Sequence, residues 1–137
     1  MKKFILEKLR YHLTENIDNF KQFLIDLNFK TVSGKKNIFF FEMNNSRIYI
    51  KYLNKNTIEL ELIETPDEFR GLGSGKAILK HFLEIVDKYR FNVELIVSPR
   101  DKKTNAIKLN NFYKSFGFEF KSMNGFKSDF EMVRYRR

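Results

Sequence analysis

Between residues 37 and 98 the apolar pattern changes period twice, and few folds accommodate the result. Asn37 to Met43, Arg47 to Leu53 and Thr57 to Ile63 each read as strands, separated by the polar turns Asn44-Asn45-Ser46 and Asn54-Lys55-Asn56. Runs joined by turns this short form an antiparallel meander. From Ser74 onward Ala77, Ile78, His81, Phe82, Ile85 and Val86 recur at helical spacing, and Phe91 to Ser98 returns to a strand rich in β-branched and apolar residues. A strand, turn, helix, strand unit makes its two strands parallel neighbours, and its loop opens at the carboxyl end of the first strand. The pattern predicts a mixed, mostly antiparallel sheet with one parallel pair beside a loop.

The flanks extend this plan. Leu9, Tyr11 and Leu13 alternate with polar neighbours and suggest a first strand, although residues 4–13 also fit a helix. Thr14-Glu15 reads as a helix start, and Ile17, Phe20, Phe23, Leu24 and Leu27 give one apolar stripe over residues 14–27. A last helix over Thr104 to Ser115 stops at Gly117, and Phe118 to Lys121 with Asp129 to Tyr135 reads as a closing hairpin. The expected order is β-α-β-β-β-α-β-α-β-β, an α/β fold with helices flanking the sheet. With 137 residues, no Pro/Ser-rich linker and no internal repeat, residues 1–137 are expected to form a single domain.

Composition narrows the chemistry. The absence of cysteine removes disulfide frameworks, thiolate metal sites and cysteine nucleophiles. His12 and His81 stand alone, without a partner at metal-ligand spacing, so no metal is expected. No apolar run approaches the length of a membrane span, and the first residues meet charge too early for a signal-peptide core; a cytoplasmic protein is expected. The formal charge of +9 predicts attraction to a polyanion or a polyanionic cofactor. Pro99 to Arg137 holds ten basic and four acidic residues, which keeps nucleic acid among the expected partners. Thr57 to Phe69 does the reverse, with Glu59, Glu61, Glu64, Asp67 and Glu68 and no base.

Arg70-Gly71-Leu72-Gly73-Ser74-Gly75-Lys76 lies between a strand end and a helix start, where free backbone N–H groups and the positive end of the helix dipole favour a phosphate. A nucleotide-binding P-loop would need glycine at Arg70 and a hydroxyl at Ala77. A dinucleotide fingerprint would need glycine at Lys76, and it does not follow an antiparallel meander. Arg70, Gly73 and Gly75 do match Gln/Arg-x-x-Gly-x-Gly/Ala, and Phe112-Tyr113-Lys114-Ser115-Phe116-Gly117-Phe118 follows as an aromatic-Tyr-x-x-x-Gly-Phe segment. In these motifs and in element order the chain resembles the GNAT superfamily of acyl-CoA-dependent N-acetyltransferases. It departs from the pattern at Ala106, where members often carry asparagine; the asparagine here is Asn105.

The resemblance implies acetyl transfer from acetyl-CoA to a primary amine by direct attack in a ternary complex. Arg70, Gly71, Leu72, Gly73, Ser74, Gly75 and Lys76 would hold the coenzyme A pyrophosphate. The main chain of Leu62, Ile63 and Glu64 would pair with the pantetheine arm as a strand would, a backbone N–H near Ile63 steadying the developing oxyanion. Tyr113 matches the tyrosine that protonates the departing thiolate, and packing beside Phe112 and Phe116 is its other reading. Glu59 stands where some members keep a catalytic glutamate, with Glu61 on the same face; a solvated polar face opposite Ile58, Leu60 and Leu62 is the alternative. A domain of the same fold that binds coenzyme A or nucleic acid without catalysis is the rival reading.

Overall fold

The structure is a computed structural model, described here for residues 19–69, 71–97, 106–123 and 130–137. Helix α1 (described over residues 19–26) precedes the short β1 (Lys30–Thr31) and the meander β2 (Ile38–Met43), β3 (Ser46–Asn54) and β4 (Thr57–Glu64). Then come α2 (Ser74–Tyr89), β5 (Asn92–Val97), α3 (Ala106–Lys114), β6 (Glu119–Met123) and β7 (Phe130–Arg134). The seven strands form one sheet in the order β1-β2-β3-β4-β5-β7-β6. Among the described residues only β4 and β5 run parallel, as the strand-helix-strand pattern requires. The strand and helix start expected before residue 19 lie outside the described residues, and β1 is an addition that two residues could not announce by periodicity.

Local chemistry sets the turns. Asn44 and Asn45 both take positive φ, 49° and 66°, a pairing whose twist suits a two-residue hairpin and which asparagine tolerates better than most residues. Met43 then faces Ser46 directly across the turn. Farther along the same pair of strands the alternation breaks: Tyr49 faces Leu62, while Ile50 faces Leu60. Glu61 is therefore an extra residue, a bulge that shifts the phase of β4. Ile63 turns inward beside Ile48, and Leu62 turns outward, 50% exposed. The expectation that Leu62 shares the buried face of Ile58 and Leu60 is thus corrected, because an inserted residue reverses every side chain beyond it.

The core lies on one face of the sheet. Phe23 and Leu27 from α1, Ile78, Leu79, Phe82, Leu83 and Val86 from α2, and the inward positions of β2 to β5 make one cluster. Phe23 is fully buried, with its ring 5.3 Å from Phe91 and 6.0 Å from Phe82. Leu109, Phe112, Tyr113 and Phe116 bring α3 against the same cluster. One cation enters this layer: Arg134 is 4% exposed, pairs with both oxygens of Asp87 at 2.6 and 2.9 Å, and donates through Nε to the carbonyl of Phe116 at 2.9 Å. The bidentate geometry satisfies a guanidinium that would otherwise be costly to bury, and it ties β7 to α2 and to the end of α3.

Candidate active site

The site begins where β4 and β5 part. Their parallel pairing runs from Thr57↔Asn92 to Leu60↔Leu95 and stops there, although β4 continues to Glu64 and β5 to Val97. Past the Glu61 bulge, β4 stays on β3 and β5 stays on β7, so a split opens at the carboxyl ends of the two strands. Main-chain groups of Leu62, Ile63 and Glu64 consequently have no β5 partner among the described residues. An extended chain carrying amides could pair there as a strand does.

At the top of the split the chain turns into α2. Gly71 and Gly73 take φ of 82° and 81°, left-handed geometry that glycine adopts without strain. Gly73 is the N-cap and offers no side-chain cap bond to the first-turn N–H groups, and no acidic residue sits in that turn. These orphan donors and the dipole's positive end suit a phosphate. Gly71, Leu72, Gly73 and Lys76 are exposed, whereas Ser74 and Gly75 are half-buried. Arg70, the first residue of the motif, lies outside the described residues. A Cβ on Gly75 would stand 3.8 Å from Thr65 Oγ1 and 3.9 Å from Ile63 Cγ2, so α2's first turn packs directly over the end of β4.

Beneath the split, on the face away from α1 and α2, lie the carboxylates. Glu59 is the register neighbour of Glu94 and faces Lys51 on β3. Glu59, Glu94, Ile96, Lys121 and Glu131 line an open cavity of about 200 Å³. Burial raises the Glu59 pKa to about 7, helped by a hydrogen bond and like charge from Glu61 and by the charge of Glu94, against the opposing pull of Lys51. Lys121 Nζ pairs with Glu94 at 2.8 Å, and its own pKa is raised by that bond. The placement brings Glu59 and Glu61 together as the sequence suggested. Glu94, Lys121 and Glu131 were not anticipated; a lone glutamate between Val93 and Leu95 was the available signal for the first.

Tyr113 lies on α3, its ring 5.3 Å from Phe112 and 5.6 Å from Phe118. Burial raises its pKa above the ordinary phenol value. A second cavity, about 320 Å³, lies at the far end of β4 beside the Asn44–Asn45 turn, with Glu64 and Pro66 on its wall. No group of histidine or acidic side chains suited to a metal occurs among the described residues. Among them, too, no helix is long and apolar enough to cross a membrane.

No protein-family model and no curated protein sequence matches the chain. Solved structures do match. A GNAT family acetyltransferase from Elizabethkingia anophelis with acetyl-CoA bound superposes with a TM-score of 0.56 at 14% identity, over 72% of this chain and 74% of that one. The ribosomal-protein-S18-alanine N-acetyltransferase from Escherichia coli gives 0.56 at 16% identity, over 74% and 70%. Ard1 from Thermoplasma volcanium gives 0.55 at 19% identity, over 74% and 72%. The fold of this chain is that of the GNAT acetyltransferases.

Proposed function

We propose that the protein is an N-acetyltransferase that uses acetyl-CoA to acylate a primary amine. The observation that carries this reading is the split between β4 and β5, roofed by an uncapped helix N-terminus and floored by a carboxylate whose pKa is about 7. Acetyl-CoA fits the residues present: the first-turn N–H groups of α2 and Lys76 would take its pyrophosphate, with Arg70 adding charge. The free edge of Leu62, Ile63 and Glu64 would take its amide-bearing arm. When bound, the coenzyme supplies an acyl group on a good leaving group.

The remaining work falls to side chains. An alkylamine with pKa near 10.4 is almost wholly protonated at neutral pH, so it needs to lose a proton before it can attack. Glu59 Oε, half-ionised near pH 7, is matched to accept that proton, directly or through water. Tyr113 Oη is protonated at neutral pH, as a phenol ordinarily is, and burial reinforces this, so it is suited to donate one. The acidic floor favours a cationic acceptor and disfavours a polyanion at the same place. Calorimetric titration with acetyl-CoA, followed by intact-mass analysis of a pooled amine and peptide library, tests the reading. Saturable binding with a 42 Da gain on an acceptor is expected, and coenzyme binding without transfer to any amine would instead support a non-catalytic domain.

A further inference from the structure

Ser46 opens β3 and is 1% exposed, a buried hydroxyl on a strand end where Asn44 and Asn45 of the neighbouring turn are exposed. Its Oγ lies 2.7 Å from Thr65 Oγ1, a hydrogen bond that joins the start of β3 to the first residue after β4. Thr65 in turn lies under Gly75, with Ile63 beside it. The two parts of the proposed coenzyme site, the first turn of α2 and the free edge of β4, therefore rest on one small stack: Ser46, Thr65, Gly75. A Cβ at Gly75 would reach Thr65 and Ile63 at ordinary van der Waals distance, so the first turn of the helix lies directly on this stack.

We propose that Ser46 is a positioning residue that fixes the spacing between the phosphate-binding turn and the β4 edge, acting through Thr65. The inference rests on the coenzyme A reading above. A ligand that spans both subsites binds well only when their separation matches its length, whereas a ligand that occupies one of them is indifferent to it. Loss of the Ser46 hydroxyl leaves Thr65 with one bond fewer and releases the turn from the strand. The consequence differs from that of a generally weakened fold, which would lower every affinity together.

The test compares coenzyme A with ADP, which carries a pyrophosphate without the arm, and pantetheine, which carries the arm without the pyrophosphate. Ser46→Ala, and Thr65→Val as a second removal of the hydroxyl pair, are expected to weaken coenzyme A about five- to tenfold, the scale of one hydrogen bond. ADP and pantetheine should change less than twofold, and Thr65→Ser should retain coenzyme A affinity. Unchanged coenzyme A affinity in folded Ser46→Ala and Thr65→Val overturns the proposal. So does a parallel loss for all three ligands, which would mark a structural role. If the wild-type protein binds none of the three, the coenzyme reading itself falls, and this inference with it.

Discussion

At the scale of single residues, Glu59 carries the sharpest consequences. A carboxylate with pKa near 7 acts as a base only in its ionised form, so the acid limb of the pH–rate profile should bend near pH 7. Glu59→Gln is expected to remove that bend and lower turnover about 10²-fold or more, with partial recovery at high pH as the amine deprotonates unaided. If the residue only attracts a cation, KM for the acceptor should rise while kcat holds. Measuring both parameters from pH 6 to 9.5 separates the two roles. Tyr113→Phe should lower kcat about 10²-fold with coenzyme A affinity intact, since the ring contacts with Phe112 and Phe118 survive. Wild-type kcat, with chemistry rate-limiting, would return Tyr113 to packing alone.

At the scale of elements, the start of α2 separates binding from folding. Lys76 is exposed in the helix's first turn, and Lys76→Glu places a negative charge where the dipole welcomes one, worth about 0.3–1 kcal/mol of stability. The same charge would oppose a pyrophosphate. Coenzyme A affinity is therefore expected to fall at least about tenfold while the thermal midpoint rises or holds; equal affinity in calorimetry would remove the phosphate from this turn. The helix, its loop and the parallel pair beside it were legible because each changes the period of the pattern. The bulge was not: Glu59-Leu60-Glu61-Leu62 alternates as a regular strand does, and only pairing with β3 shows that Glu61 is extra. Arg134 was counted with the basic surplus of the last third, since sequence does not reveal that Asp87 and the Phe116 carbonyl await it in the core.

At the scale of the whole molecule, two carboxylates pull the stability curve in opposite directions. Asp26, at the end of α1, accepts hydrogen bonds from Tyr89, Gln22 and Lys88, and these hold its pKa near 2, below the ordinary 3.8. Its folded form binds protons less tightly than the unfolded chain does. That contribution is complete above about pH 4 and is lost as pH falls towards 2. Glu59 has the opposite sign, because its folded pKa of about 7 exceeds the ordinary 4.5. The folded state then binds the proton more tightly, and stability declines as pH rises from about 4.5 through about 7. A carboxylate held at a catalytically useful pKa thus works against the fold at the pH where it would act. Thermal unfolding should show this directly: Glu59→Gln is expected to raise the midpoint above pH 7 and leave it unchanged near pH 4, while Asp26→Asn should lower it above pH 4 and converge with wild type near pH 2. A Glu59→Gln protein no more stable than wild type at pH 8 would mean that the residue is not desolvated in the cleft, and the base role would lose its physical footing along with the stability argument.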